Sequence, residues 1–206
     1  MTSGISQSST ENKLRDEVLK WKEKYDNAYK DLAQSEKTLE DERKKATQNN
    51  TETAQMEDQL SKINRQLGLT DVKGEGVIVK VDDNKKSEDA LDPSKSVVHD
   101  GDLVEIVNLL KNGGAEAISI NDQRITSVTA ITCDGNVVRI NGEKVGAPFE
   151  IKAIGSQERL KGALEMPYNY IYEMKRDGLQ IEINKATSIE IPKYEGVIKR
   201  EYMKDR

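Results

Sequence analysis

Apolar side chains recur at alternating intervals of four and three residues between Leu14 and Leu67 of this 206-residue chain. Lys, Glu, Asp and Gln fill the positions between them, and the stretch 11–67 contains neither Gly nor Pro. A sustained repeat of 3.5 residues predicts a left-handed coiled coil. The repeat positions are Leu14, Val18, Trp21, Tyr25, Ala28, Leu32, Ser35, Leu39, Glu42, Ala46, Asn49, Thr53, Met56, Leu60, Ile63 and Leu67.

The repeat predicts a coiled-coil stalk over residues 11–68, ending at Gly68. Its apolar seam is strong at both ends and weak between residues 35 and 53, where Glu42 and Asn49 take core positions. We expect two copies of the chain to associate through this seam. The alternative is a single exposed helix that serves only as a spacer. The flanking charges do not decide whether the helices pair parallel or antiparallel.

Composition supports an extended element beside a small domain. Only 35% of the residues are hydrophobic, 33% are charged and the mean hydropathy is -0.75, which is too polar for one compact globule. The net charge is -5 with no concentrated basic patch, so we expect no nucleic-acid partner. No apolar run is long enough to span a bilayer. Residues 1–10 are small and polar and predict a disordered start, and residues 196–206 predict a charged tail.

Charge density falls after Gly68 and β-branched runs begin, which predicts a folded domain over residues 73–195. The pattern is strand, helix, four strands, helix and strand, with a further helical piece after Pro167. Asp134-Gly135 is a strong hairpin turn signal. The predicted fold class is α+β: a long N-terminal coiled-coil helix followed by a single mixed-sheet domain with two or three packed helices.

The best candidate for ligand or partner binding is the group Asn121, Gln123 and Arg124, which follows a buried strand. Its amide groups and guanidinium fork suit a carboxylate, a glycan or a partner's backbone. The alternative is a structural network that ties down the neighbouring hairpin. Tyr168 and Tyr172, together with Tyr170, form a second candidate, a protein interface. The alternative there is that the rings half-cover a small core.

The sequence shows no catalytic constellation, and we expect no enzymatic activity, no metal and no cofactor. His99 is the only histidine, and its acidic neighbours Asp100 and Asp102 suit the capping of a helix start. Cys133, the only cysteine, is interpreted as a small buried hydrophobic residue. Gly74-x-Gly76 precedes a strand, whereas the dinucleotide fingerprint follows one.

Several blocks resemble, in order, the bacterial domain of unknown function 881. The most specific covers residues 114–125, Gly-Ala-Glu-Ala-Ile-Ser-Ile-Asn-Asp-Gln-Arg-Ile. Weaker ones are Asp-Leu-Val-Glu-Ile-Val-Asn at 102–108, Asn-Gly at 141–142, Pro-Phe-Glu-Ile-Lys-Ala-Ile-Gly at 148–155 and Ile-Pro-Lys-Tyr at 191–194. One departure is Pro167-Tyr168-Asn169-Tyr170, where the family tends to carry a Gly-Gly pair.

Family members occur mainly in Gram-positive bacteria and are often labelled putative division initiation proteins. They typically have a short cytoplasmic start, one membrane helix, a coiled coil and then this domain outside the membrane. The resemblance therefore implies a single-pass membrane anchor that is absent from this sequence, an extracytoplasmic location, and envelope or division proteins as partners. We expect a non-enzymatic structural or interaction protein. The alternative function is an extracytoplasmic module that binds a small ligand or a cell-wall fragment.

Overall fold

The computed structural model describes residues 3–47, 51–84 and 96–204. Its contacts divide the chain into two compact units, Met1–Ser61 and Lys62–Arg206. Two helices account for the described residues before the domain, α1 (Ser3–Thr47) and α2 (Thr51–Leu67). The predicted long N-terminal helix is thereby confirmed. Helix α1 begins at Ser3, inside the stretch for which the sequence predicts disorder.

The repeat predicts one continuous helix from residue 11 to residue 67, and the structure instead has two. The Arg43 guanidinium lies 3.9 Å from the Glu57 carboxylate. In one straight helix these residues would stand about 21 Å apart along the axis, which their side chains cannot bridge. The two helices are therefore not collinear, and the change of direction falls within the weak stretch of the seam.

The second unit alternates short strands with three helices. In chain order it contains β1 (Val72–Asp82), α3 (Asp100–Asn112), β2 (Ala117–Ile120), β3 (Gln123–Arg124), β4 (Ile131–Asp134), β5 (Val137–Ile140), β6 (Glu143–Val145), β7 (Phe149–Ile154), α4 (Gln157–Leu164), α5 (Tyr170–Arg176) and β8 (Gln180–Ile191). The α+β class is confirmed. The strands are divided between two sheets, where the sequence suggested one.

The larger sheet has the strand order β3-β2-β7-β1-β8, and each neighbouring pair runs antiparallel. In the centre of the sheet, Val79 lies opposite Ile151 of β7 and Ile183 of β8. The smaller sheet has the order β4-β5-β6. Its first hairpin is the predicted one, but the turn is Gly135-Asn136, because Asp134 still pairs with Val137. Strand β8 forms one outer edge of the larger sheet.

One face of the larger sheet packs on the helices and forms the main core. Alternate residues of β1 (Val77, Val79 and Val81) are fully buried there, because successive side chains of a strand point to opposite faces. Helices α3 and α4 cover this face with Leu103, Ile106, Leu110 and Leu160, at helical spacing. Helix α5 adds Ile171 and Met174 to the core, as their spacing predicts.

The opposite face of the sheet carries a smaller apolar cluster near the start of β1. Its buried members are Ala117, Ile154, Ile189 and Ile191. Strand β1 bulges here between Gly74 and Gly76. A Cβ atom on Gly76 would stand 1.9 Å from the Ala153 carbonyl oxygen, so only glycine allows the two backbones to approach this closely.

Candidate functional site

An apolar stripe along α1 is a long exposed hydrophobic surface. It consists of the repeat residues Leu14, Val18, Trp21, Tyr25, Leu32 and Leu39, whose exposed fractions lie between 52% and 68%. The Trp21 ring contacts the Lys24 ammonium at 4.7 Å, and the Tyr25 and Tyr29 rings stack at 6.5 Å. Soluble proteins rarely leave such a contiguous stripe uncovered. We refer to these six residues as the α1 stripe.

Arg124, by contrast, is directed into the fold. Only 4% of the residue is exposed, and its guanidinium donates to the Thr70 and Pro192 carbonyl oxygens, each at 3.2 Å. Burial lowers the pKa of the guanidinium below its ordinary value, and the neighbouring Asp71 carboxylate opposes that shift. Arg124 thus joins the segment that enters the domain before β1 to the segment that leaves it after β8.

The other two members of the predicted binding group also make hydrogen bonds within the chain. Asn121 and Asp122 both adopt positive φ values, 44° and 64°, which form the tight turn between β2 and β3. The Asn121 side-chain oxygen accepts from the Glu150 backbone N–H at 2.8 Å. The Gln123 side-chain oxygen accepts from the Asn141 amide at 3.5 Å. The structure brings the three residues together around one hairpin, and their binding role stays a prediction.

The three tyrosines of the predicted interface face different surroundings. Tyr168 is 86% exposed, and its ring meets the Tyr172 ring edge to face at 5.7 Å. Tyr168 has φ 60°, a conformation that glycine adopts without strain. The Asn169 side chain holds this turn by donating to the Ala163 and Leu164 carbonyl oxygens. Tyr170 is half-buried, and its hydroxyl faces a cleft.

This cleft of about 330 Å³ lies between the start of α3 and helix α5. It is lined by Val97, His99, Asp100, Gly101, Asp102, Tyr170, Glu173, Met174, Asp177 and Leu179. The Tyr170 hydroxyl donates to the buried Asp102 carboxylate at 2.8 Å. That hydrogen bond, with burial and the negative charge of the nearby carboxylates, raises the pKa of Tyr170 to about 12. The phenol therefore stays protonated at neutral pH and cannot act as a base there.

Helix α3 begins differently from the prediction, which placed its N-cap at Asp100 or Asp102. His99 is the N-cap residue, and the Asp102 carboxylate accepts from the His99 backbone N–H at 2.6 Å. The His99 ring nitrogen Nδ1 lies 3.8 Å from that carboxylate, outside hydrogen-bond distance. The pair therefore does not form the oriented His–Asp dyad that nucleophilic catalysis uses.

Cys133 is exposed, so its interpretation as a buried hydrophobic residue is wrong. Its backbone N–H donates to the Asp100 carboxylate at 3.0 Å, and its sulfur accepts from the Asp100 backbone N–H at 3.4 Å. The second of these bonds favours the thiolate, but burial and the Asp100 carboxylate outweigh it and raise the pKa of the thiol. The thiol is therefore not an activated nucleophile.

The described ranges 3–47, 51–84 and 96–204 contain no group of three or more His, Cys, Asp or Glu side chains arranged to hold a metal ion. Within the same ranges, no helix is long and apolar enough to cross a membrane.

A family model described as a bacterial protein of unknown function (DUF881) matches residues 59–204. The chain belongs to the DUF881 family. The match begins within α2 and extends thirteen residues beyond the end of β8, which is Ile191. The resemblance inferred from the short sequence blocks is confirmed.

Curated relatives of this DUF881 chain carry names that state no activity. The UPF0749 protein YlxW of Bacillus subtilis is 30% identical over 125 residues, which cover 61% of this chain and 54% of that protein. The UPF0749 protein Rv1825 of Mycobacterium tuberculosis is 25% identical over 149 residues, covering 69% of this chain and 48% of that protein. The chain thus spans about half the length of the curated relatives it matches.

A crystal structure of an uncharacterized conserved protein from Mycobacterium tuberculosis shares the fold. Its TM-score is 0.59 at 22% sequence identity, and the superposition covers 72% of the DUF881 chain and 99% of the other protein. At this identity the comparison establishes the fold alone.

Sequence reasoning missed the polar contacts that join distant segments. Asp102 and Tyr170 are 68 residues apart, and Asp100 and Cys133 are 33 apart. The turn signal at Asp134-Gly135 indicates that Cys133 lies at the end of a strand, but not which element contacts that strand. The acidic start of α3 could have indicated such a contact. A carboxylate that is buried at a helix N-terminus needs hydrogen-bond donors, and some of them come from other segments.

Proposed function

We propose that this DUF881 protein is a non-catalytic interaction protein whose copies associate through α1 and display the α+β domain to partner proteins. The observation that carries the proposal is the α1 stripe. Its members combine a 4-3 repeat with more than half-exposed apolar side chains. Because a 4-3 repeat packs best on another helix with the same repeat, a second copy of α1 is the occupant that fits this surface.

The setting that we propose is the bacterial cell envelope, with the domain outside a membrane and with envelope or division proteins as partners. Its support is the arrangement that family members typically have, a membrane helix followed by a coiled coil and this domain. A paired stalk suits that setting, because it fixes the distance and the copy number of the domain that it displays.

The test is the solution mass of the full chain, measured by light scattering over a range of concentrations. Leu32→Glu introduces a charge into the α1 stripe. Leu19→Glu makes the same change outside the stripe, at a leucine with a similar exposed fraction, 56% against 54% for Leu32. A dimer that buries Leu32 loses two leucine contacts, about 3–6 kcal/mol, which weakens association about 100-fold or more.

We expect the Leu19→Glu variant to keep the mass of the unchanged chain and the Leu32→Glu variant to have a lower mass at the same concentration. A chain that stays monomeric at high concentration would refute the pairing. Equal effects of the two substitutions would show that association does not use the stripe. Partner capture then compares the dimeric chain with the Leu32→Glu variant, and a partner retained only by the dimer supports display in pairs.

A further inference from the structure

Strand β8 presents a long open edge. Its twelve residues pair with β1 on one side, from Gln180 opposite Asp82 to Ile191 opposite Val72. No strand pairs with its other side in the described ranges 3–47, 51–84 and 96–204. Alternate residues of an edge strand direct their N–H and C=O groups away from the sheet, and these groups form a template for another strand.

The contacts that cover this edge are concentrated near its middle. The Gln157 side-chain amide donates to the Ala186 carbonyl oxygen at 3.0 Å, and Lys185 makes an ion pair with Glu158. Both contacts lie near the middle of β8. The flanking stretches contain no proline, so each of their residues keeps the N–H and C=O groups that an added strand would use.

The exposed side chains of β8 are polar, whereas the segment after β8 exposes apolar side chains. This segment has no regular secondary structure. Val197, Tyr202 and Met203 are 79%, 94% and 70% exposed. The family match nevertheless extends through residue 204, so this segment belongs to the sequence pattern that the family shares. These apolar residues belong to a family pattern and are exposed in one copy of the chain. We therefore infer that they pack against another molecule.

The net charges of the segment 196–204 and of β8 are opposite in sign. Residues 196–204 carry three cations, Lys199, Arg200 and Lys204, and one anion, Glu201. The exposed charges of β8 are two anions, Glu182 and Glu190, and one cation, Lys185. The segment therefore has a net charge of +2 and the edge a net charge of −1. Lys73 already pairs with Glu190, and Glu158 pairs with Lys185.

The start of the segment leads it away from the open edge of its own β8. The Lys193 N–H donates to the Asp71 carboxylate at 2.7 Å, and the Tyr194 N–H donates to the Gly68 carbonyl oxygen at 2.8 Å. Both acceptors precede β1, which lies on the paired side of β8. These two bonds direct the segment toward the paired side of its own β8, whereas the segment of a second copy can approach the open edge directly.

We propose that residues 196–204 of one copy add as a sixth strand to the open edge of β8 in a second copy. The exchange is a contact between domains, and it does not require the pairing of α1. Backbone hydrogen bonds to β8 supply the affinity, and Val197 and Tyr202 gain cover from the domain that receives the segment.

Hydrogen exchange of β8, followed by mass spectrometry, tests the proposal in the Leu32→Glu background, so that pairing of α1 does not contribute. We compare the full chain, a variant ending at Glu195, and that shortened variant with a synthetic peptide of residues 193–206. A control peptide carries Ile198→Pro, which removes one N–H donor and disfavours a central strand position. The same substitution in the full chain gives a second variant that keeps the segment.

We expect β8 to exchange about tenfold faster in the shortened variant, and the unchanged peptide, but not the Ile198→Pro peptide, to restore protection. Protection in the full chain should fall on dilution. Equal exchange with and without the segment would overturn the proposal. Protection independent of concentration would also overturn it, because the segment would then cover its own copy. Neither outcome bears on the α1 stripe, whose test is the change in mass caused by Leu32→Glu.

Discussion

Replacing Arg124 by methionine should destabilise the α+β unit by about 3 kcal/mol. Methionine keeps the buried aliphatic stem and removes the two donors to the Thr70 and Pro192 carbonyl oxygens. A hydrogen bond from a charged donor contributes about 1.5–3 kcal/mol. The lower value applies to both bonds, because both acceptor residues are only half-buried and water can partly replace the guanidinium. For a unit of this size, the change corresponds to a melting temperature about 6–12 °C lower.

Calorimetry and urea unfolding followed by near-UV circular dichroism are the appropriate assays. Tryptophan fluorescence does not report on this unit, since the only tryptophan is Trp21 in α1. The matched control is Arg139→Met, because the Arg139 side chain is 42% exposed while it bonds to Gly142 and Asp134. We expect that control to cost less than about 1 kcal/mol. Equal losses in the two variants, or a loss below about 1 kcal/mol for Arg124→Met, would refute the role of Arg124 as a bridge.

Three further predictions concern single residues of the second unit. The pKa of Tyr170 is raised to about 12 in the folded protein. Its contribution to stability should be complete below the unfolded pKa, near 10, and should be lost as the pH rises through 12. In an alkaline titration of tyrosinate absorbance, Tyr170→Phe should remove the late step. Gly76→Ala places a methyl group against the Ala153 carbonyl oxygen and should prevent folding or cost several kcal/mol. At Gly162 an added Cβ atom meets nothing, so Gly162→Ala should stabilise α4 by about 0.5–1 kcal/mol, as measured by urea unfolding. Tyr168→Gly relieves the strain of a positive φ at an exposed side chain and should leave the unit equally or up to about 1 kcal/mol more stable; a large loss would show that the ring packs inside the domain.

Local signals predicted much of the fold. The 4-3 repeat located the long helix, and Asp134-Gly135 located the β4–β5 hairpin, because each depends on residues that are neighbours in the sequence. The turn at Asn121-Asp122 has the same left-handed geometry without a glycine, so the two-residue strand β3 after it was not predicted. Strand β8 continues through the run from Asn184 to Ser188, which offers little apolar pattern, since an edge strand needs little apolar content on its exposed side.

The candidate sites were harder to predict, because their properties depend on distant contacts. Arginine is a residue type that often binds ligands, and this suggested a binding role for Arg124. Its guanidinium is instead buried against the Thr70 and Pro192 carbonyl oxygens, which are 54 and 68 residues away in the sequence. The exposed fraction of the α1 stripe depends on which element packs on the helix. The 4-3 repeat does not specify that element. The repeat predicted one continuous helix, and the division between α1 and α2 falls within the weak stretch of its seam.

The bridge that Arg124 makes has a mechanical consequence. The chain enters the domain at Thr70 and leaves it at Pro192, and the guanidinium holds these two points together at one end of the β1–β8 ladder. A force that separates entry from exit would therefore open this antiparallel pair one residue at a time instead of shearing all its hydrogen bonds together. The hydrogen bond from Tyr194 to Gly68 lies farthest out and would break first. The bond from Lys193 to Asp71 and the two that Arg124 donates lie next, so these contacts together set the load at which the domain begins to open.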